Sequence, residues 1–124
     1  MSAFTTPAIL EIVDENRWRL AQAFEYHVGQ YPSDDVIRVP AGFVTDLASI
    51  PRLFWPLLPP QGRYAKAAIL HDWLYTQGPA GDETARARAD AIFLEAMAVL
   101  GCPRWQRGVI YAAVRIFGRS AFGR

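Results

Sequence analysis

The chain has a single cysteine, Cys102, so it can form no internal disulfide. A stapled framework is excluded, and synthesis in a reducing compartment is the simplest expectation. No run approaches the roughly 18 consecutive apolar residues that a membrane-crossing helix needs. The opening stretch MSAFTTPAILEIVDEN carries neither a basic leader nor an apolar core, so no secretory signal is expected. Lysine is nearly absent, with one among thirteen basic residues, and no acidic residue follows Glu95. Internal repeats and low-complexity tracts are missing. So are HExxH, GxSxG, CxxC and P-loop signatures, which removes the common zinc-protease, serine-hydrolase, thiol-redox and nucleotide-binding readings.

What is present suffices for one domain. A chain of 124 residues buries roughly two-thirds of the surface it exposes when unfolded. A composition 52% hydrophobic and 13% aromatic, with nine glycines and nine prolines, excludes a disordered chain, a collagen and a coiled coil. The net charge of +1 hides a split. Up to Gly62 seven acids face four arginines, whereas from Arg63 nine basic residues face five acids. A solvated helix face accounts for that excess, and so does contact with an anionic surface. Nucleic-acid binding is not expected, because no recognition motif accompanies the arginines.

The chain changes character near residue 60. In NRWRLAQAFEYHV the even positions Trp18, Leu20, Gln22, Phe24, Tyr26 and Val28 are mostly apolar, and the odd ones include Arg17, Arg19, Glu25 and His27. That period of two predicts one half-buried strand. Ala8 to Val13 is its expected partner through Asp14-Glu15-Asn16, and Val36 to Val39 a third strand after GQYPSDD. Five of the nine prolines fall between residues 40 and 62, which predicts an irregular segment there.

Beyond Gly62 the pattern is helical. One helix is expected from Tyr64 to Tyr75. A second, capped by Asp82 or Thr84, should run to Leu100 and stop at Gly101. A third follows Pro103 and ends at Gly118. Between Val109 and Phe117 it is apolar almost all round except Arg115, which predicts burial on most sides. The fold expected is α+β in a single domain, 1–124. A β-rich part spans 1–40, a proline-rich loop 41–62 and a three-helix part 63–124.

The polar residues that fit their surroundings worst carry the functional argument. His71 and Asp72 interrupt the apolar AILHDWLY, and His71 shares a helix face with Tyr75. Asp90 shares a face with Phe93, Leu94 and Met97. A carboxylate on an apolar stripe must be paired, because unpaired burial costs several kcal/mol, and His71 is the best available partner. Asp46, in GFVTDLASIP, is another acid in apolar company. Each has a plain structural explanation: a His–Asp pair can lock two helices, and Asp46 can cap a turn. Together they also fit a functional site. A histidine bonded to a buried aspartate is held in one tautomer and works as a general base. Asp72 and Asp46 could hold a divalent cation beside it, and hard oxygen donors without thiolate favour calcium over zinc. A base with a cation that polarises a carbonyl is machinery for ester or amide hydrolysis. His27, on the polar face of a strand, reads as an ordinary surface histidine.

HDWLY, RARADAIFLEAM and YAAVRIFG, taken in order with TDLASIP upstream, resemble the secreted phospholipase A2 proteins of bacteria and fungi, over about Thr45 to Phe122. VPAGFVTDLASIPR with HDWLY more closely resembles a phage- and prophage-encoded family of unknown function, across most of the chain. The first resemblance implies a phospholipase A2-like helical core. His71 would be the base that activates water, Asp90 would orient its ring and Tyr75 would support Asp90. Asp46, Asp72 and the Leu47 carbonyl would hold calcium. Two departures stand out: Ala48 replaces a disulfide cysteine, and Leu47 replaces a glycine of the calcium loop.

The expectation is therefore a phage-associated, metal-assisted hydrolase cleaving phospholipid esters in the bacterial envelope. It would be made in the host cytoplasm and act after lysis or within a virion. Trp55, Arg104, Trp105 and Arg107, with Arg115, would meet the anionic surface. The alternatives are a peptidoglycan hydrolase using the same site and a non-enzymatic phage structural or assembly module, with other phage proteins as partners.

Overall fold

The computed structural model describes residues 3–4, 10–14, 17–30, 32–45, 52–57, 65–120 and 122. The order of elements is α+β, with strands first and three helices last. The chain divides into two compact units, Met1–Asp46 and Leu47–Arg124.

Among its described residues the first unit holds six short strands: β1 (Ala3–Phe4), β2 (Leu10–Asp14), β3 (Arg17–Leu20), β4 (Phe24–His27), β5 (Val36–Val39) and β6 (Val44–Thr45). They form two antiparallel three-stranded sheets, in the orders β1-β4-β5 and β2-β3-β6. The expected period of two is present in the burial. Trp18 and Leu20 of β3 are buried between exposed Arg17 and Arg19, and Phe24 and Tyr26 are buried on β4. Phe4 packs on both of the latter rings, with centroids 5.6 and 4.7 Å away.

The single strand expected across residues 17–28 is instead two, parted by a bend at Ala21–Ala23. The pairing explains the break. Phe24 pairs with Val39 and Arg19 with Val44, five residues on along each arm, so one hairpin register continues through the bend. Leu20 bridges the corner, donating its N–H to the Phe43 carbonyl (2.8 Å) and accepting from Gly42 N–H (2.7 Å). Gly42 has φ +89°, a backbone region open to glycine at little cost. Gln22, the polar residue at an expected inward slot, is exposed at this bend. At the far end of the hairpin His27 accepts the Ser33 N–H at Nδ1 (3.2 Å), which gives it a turn-stabilising role.

In the second unit the described part of the proline-rich segment is a short 3-10 helix, Arg52–Leu57. Three α-helices follow: α1 (Ala65–Gln77), α2 (Glu83–Val99) and α3 (Arg104–Phe117). α1 is buried on nearly every side, through Ala67, Ala68, Ile69, Leu70, His71, Asp72 and Tyr75. Asp82 caps α2 by accepting the Ala85 N–H (3.0 Å). α2 ends in a Schellman turn, where Cys102 N–H reaches the Met97 carbonyl and Gly101 N–H the Ala98 carbonyl, with Gly101 at φ +88°.

α3 departs from expectation. It buries Ile110, Ala113 and Val114, but Trp105, Val109, Ile116 and Phe117 are exposed. A helix apolar all round needs neighbours on all sides to be buried. Among the described elements α3 packs on α2, on the 3-10 helix Arg52–Leu57 and on the Gly118–Ser120 turn that follows it, and the residues of its outer face stay exposed.

Candidate active site

The buried stripe of α2 is Arg86, Ala89, Asp90, Phe93, Ala96 and Met97, spaced by threes and fours. It faces α1 with its charged end level with His71. His71 Nε2 lies 2.7 Å from Asp90 Oδ1, and both side chains are fully buried. The Tyr75 hydroxyl, one turn along α1, donates to the same oxygen at 2.6 Å. The His71 ring stacks on Phe93 (centroids 4.4 Å, 26° between planes) and leans on Tyr75 (4.2 Å). Sequence reasoning therefore named three residues that the fold brings together.

It missed the cations on the other side. Arg115 of α3 donates Nη1–H to Asp90 Oδ2 at 2.8 Å, and Arg86 Nη1 lies 3.6 Å from that oxygen. Arg86 also donates to the Val114 and Arg115 carbonyls (3.1 and 3.2 Å), satisfying the C-terminal end of α3. Glu83 closes the network. It accepts from Arg86 Nε and Nη2 (3.0 and 3.1 Å) and from Arg115 Nη2 (2.7 Å). Three helices thus meet at one carboxylate. Arg115, expected at an anionic surface, is turned to this network instead. The missed signal was Arg86, four residues before Asp90 on the same stripe.

The electrostatics assign the protons. Burial pushes the Asp90 carboxyl up, but hydrogen bonds from His71, Tyr75 and Arg115 outweigh it and hold the group below its ordinary range. Burial lowers His71 against the opposing pull of Asp90, so its ring is neutral near pH 7. Burial and the Asp90 carboxylate raise Tyr75, which keeps its hydroxyl a donor. With Asp90 ionised, Nε2 of His71 is the donor, and the lone pair of the neutral ring sits on Nδ1. That tautomer follows from the network.

The other expected residues are more dispersed. Asp72 is buried on α1, next to His71 in sequence. Asp46 and Leu47 lie outside the described residues, as does the Trp55 side chain. Among the described residues no three His, Cys, Asp or Glu side chains are grouped to hold a metal ion. Asp72 is the one expected calcium ligand that is described, a carboxylate of the type calcium takes. Arg104 and Trp105 stand exposed at the start of α3. Arg107 is half-buried and donates to the Cys102 carbonyl (2.6 Å) at the α2–α3 joint. Cys102 is buried and free, and burial pushes its thiol up. No helix among the described residues is long and apolar enough to cross a membrane.

Comparison with known proteins adds a family. The chain is similar to an uncharacterized protein of Sinorhizobium fredii, y4jT, at 35% identity over 83 residues. The match covers 64% of this chain and 23% of that protein, so the chain spans about a quarter of its relative's length. No solved structure matches. A family model described as a protein of unknown function, DUF1353, matches residues 18–114. That span takes in His71, Tyr75, Arg86 and Asp90 and stops one residue short of Arg115. The chain belongs to the DUF1353 family.

Proposed function

We propose that the protein is a phage-associated hydrolase of the bacterial envelope that cleaves phospholipid esters in the manner of phospholipase A2. The observation that carries this reading is the His71–Asp90 pair, 2.7 Å apart, with Tyr75 on the same carboxylate oxygen. It leaves a neutral imidazole with its lone pair on Nδ1. Nδ1 is buried and has a partner of its own, so the reading requires a water to replace that partner; the nitrogen then takes a proton from the water as its oxygen attacks the ester carbonyl carbon. The imidazolium then returns the proton to the departing glycerol oxygen, giving a fatty acid and a lysophospholipid. Asp90, ionised throughout, stabilises the transient cation. A calcium ion held by Asp46, Asp72 and the Leu47 carbonyl would supply positive charge at the ester oxygen.

A second reading has its own support. His71 and Asp90 have no exposed surface, and every buried side-chain polar atom among the described residues has a partner. A network so complete serves equally as a lock between helices in a non-enzymatic phage module. Fatty-acid release from phosphatidylglycerol vesicles in calcium, for the wild type and His71→Asn, separates the two. The hydrolase reading expects release by the wild type and a loss of roughly a hundred- to ten-thousandfold in a folded variant. Absence of release by the wild type, or an unchanged rate in His71→Asn, sinks it. Peptidoglycan sacculi assayed in parallel would reveal an amide or glycan substrate instead.

A further inference from the structure

The outer face of α3 is the feature that the fold leaves unexplained. Trp105, Val109, Ala112 and Ile116 follow one another at steps of four, three and four, which aligns them along one side of a helix. All four are exposed, Trp105 at 64% and Ile116 at 68%, and Phe117 at 56% extends the patch at its C-terminal end. The stripe is about 16 Å long at the rise of an α-helix. An aligned patch of this kind marks an interaction surface, unlike apolar residues exposed singly.

Charge chooses the partner. Arg104 stands exposed at one end of the stripe and Arg119 at the other, and no acidic residue occurs from Ala96 to Arg124. A second copy laid antiparallel on this face would set Arg104 against Arg119 with no local acid to neutralise them. An anionic bilayer offers both complements at once: acyl boundary for the stripe and headgroup phosphate for the arginines. Trp at the end of an apolar stripe beside cationic flanks is the composition of a helix lying in the membrane interface.

We infer that α3 docks the protein flat on an anionic lipid surface, with Trp105, Val109 and Ile116 inserted and Arg104 and Arg119 on the headgroups. This rests on the envelope setting proposed above and extends it to the surface that makes contact. It does not depend on turnover.

Flotation with ether-linked phosphatidylglycerol vesicles tests it, since these lipids have no carboxylic ester to cleave. The full chain is expected to float with them and not with ether-linked phosphatidylcholine vesicles. Trp105→Ser/Ile116→Ser should weaken binding at least tenfold, roughly what the loss of two inserted apolar side chains implies. Arg104→Gln/Arg119→Gln should weaken it by roughly thirtyfold, at about 1 kcal/mol per arginine at an anionic surface. All four positions are exposed, so circular dichroism should match the wild type. Equal binding to both lipids, binding unaffected by either double variant, or self-association that the Trp105/Ile116 variant abolishes would overturn the inference. Binding without ester hydrolysis would leave it standing and sink the hydrolase reading alone.

Discussion

Replacing Asp90 by asparagine is the sharpest perturbation of the helical unit, because it removes one charge and almost no volume. Asp90 Oδ2 sits 2.8 Å from Arg115 Nη1 and 3.6 Å from Arg86 Nη1, and Oδ1 takes both His71 and Tyr75. An asparagine must turn its NH2 either toward the two guanidinium groups, setting donor against donor, or toward His71 and Tyr75, which must then accept where they now donate. At an effective dielectric near 20, one unit pair about 4 Å apart is worth roughly 4 kcal/mol. Arg115 is 29% exposed and Glu83 still holds both arginines, so part of that is screened or compensated. Breaking a buried pair from one side costs about 3–5 kcal/mol, and the partial compensation places this site near 3.

Urea unfolding followed by helical circular dichroism reads the effect. With a slope of about 1.5 kcal/mol per molar, a loss of that size lowers the midpoint by about 2 M. Glu83→Gln is the control. Glu83 touches the same two arginines, but its side chain is 53% exposed, and its loss should shift the midpoint far less. An Asp90→Asn variant no less stable than Glu83→Gln would refute the claim that burial, rather than the number of charges, gives the network its strength.

Acid should erode the same stability in a defined direction. His71 and Asp90 both titrate below their ordinary values of 6.5 and 3.8 in the folded chain, so the unfolded chain takes up protons first as pH falls. Their contribution is therefore complete above about pH 6.5 and lost on acidification, His71 first. A urea midpoint that stays flat between pH 7.5 and 5 would contradict this. Gly118→Ala tests the packing behind Tyr75, because the added Cβ would lie 2.7 Å from the Tyr75 hydroxyl oxygen and 3.2 Å from Cε2. It should cost about 1–3 kcal/mol, and Tyr75→Phe in the same chain should cost less than the two single losses added together, since it removes the nearest atom.

Sequence reached some of this and stopped short of the rest for physical reasons. Asp90 was legible because a carboxylate on an apolar stripe has few ways to be stable, and His71 was the partner the spacing offered. From sequence Arg115 reads as surface charge, because helical periodicity orders residues around one axis and says nothing about which neighbour lies opposite. Its partner on α2 is 25 residues away in sequence. The burial expected of Val109 and Ile116 failed for a related reason: apolar residues all round a helix record what it could bury, and three helices leave one side of the last without cover. In the first unit the period of two ran through the bend because the hairpin register does so. The polar Gln22 at an inward slot was the sign that the strand turns there.

The partners of Asp90 also decide the chemistry. A buried histidine and aspartate alone would compete for one proton. Desolvation raises the carboxyl and lowers the imidazole, which favours a neutral pair with the proton on oxygen and Nε2 as acceptor. Hydrogen bonds from His71, Tyr75 and Arg115 reverse that preference by stabilising the carboxylate, and Arg86 lies 3.6 Å from its outer oxygen. Nε2 then keeps its proton and Nδ1 its lone pair. The tautomer a general base requires is set by everything that holds the carboxylate ionised: the ring's own hydrogen bond, the Tyr75 hydroxyl and Arg115. The same partners that complete the lock thus also fix Nδ1 as the nitrogen that would act as base in the hydrolytic reading.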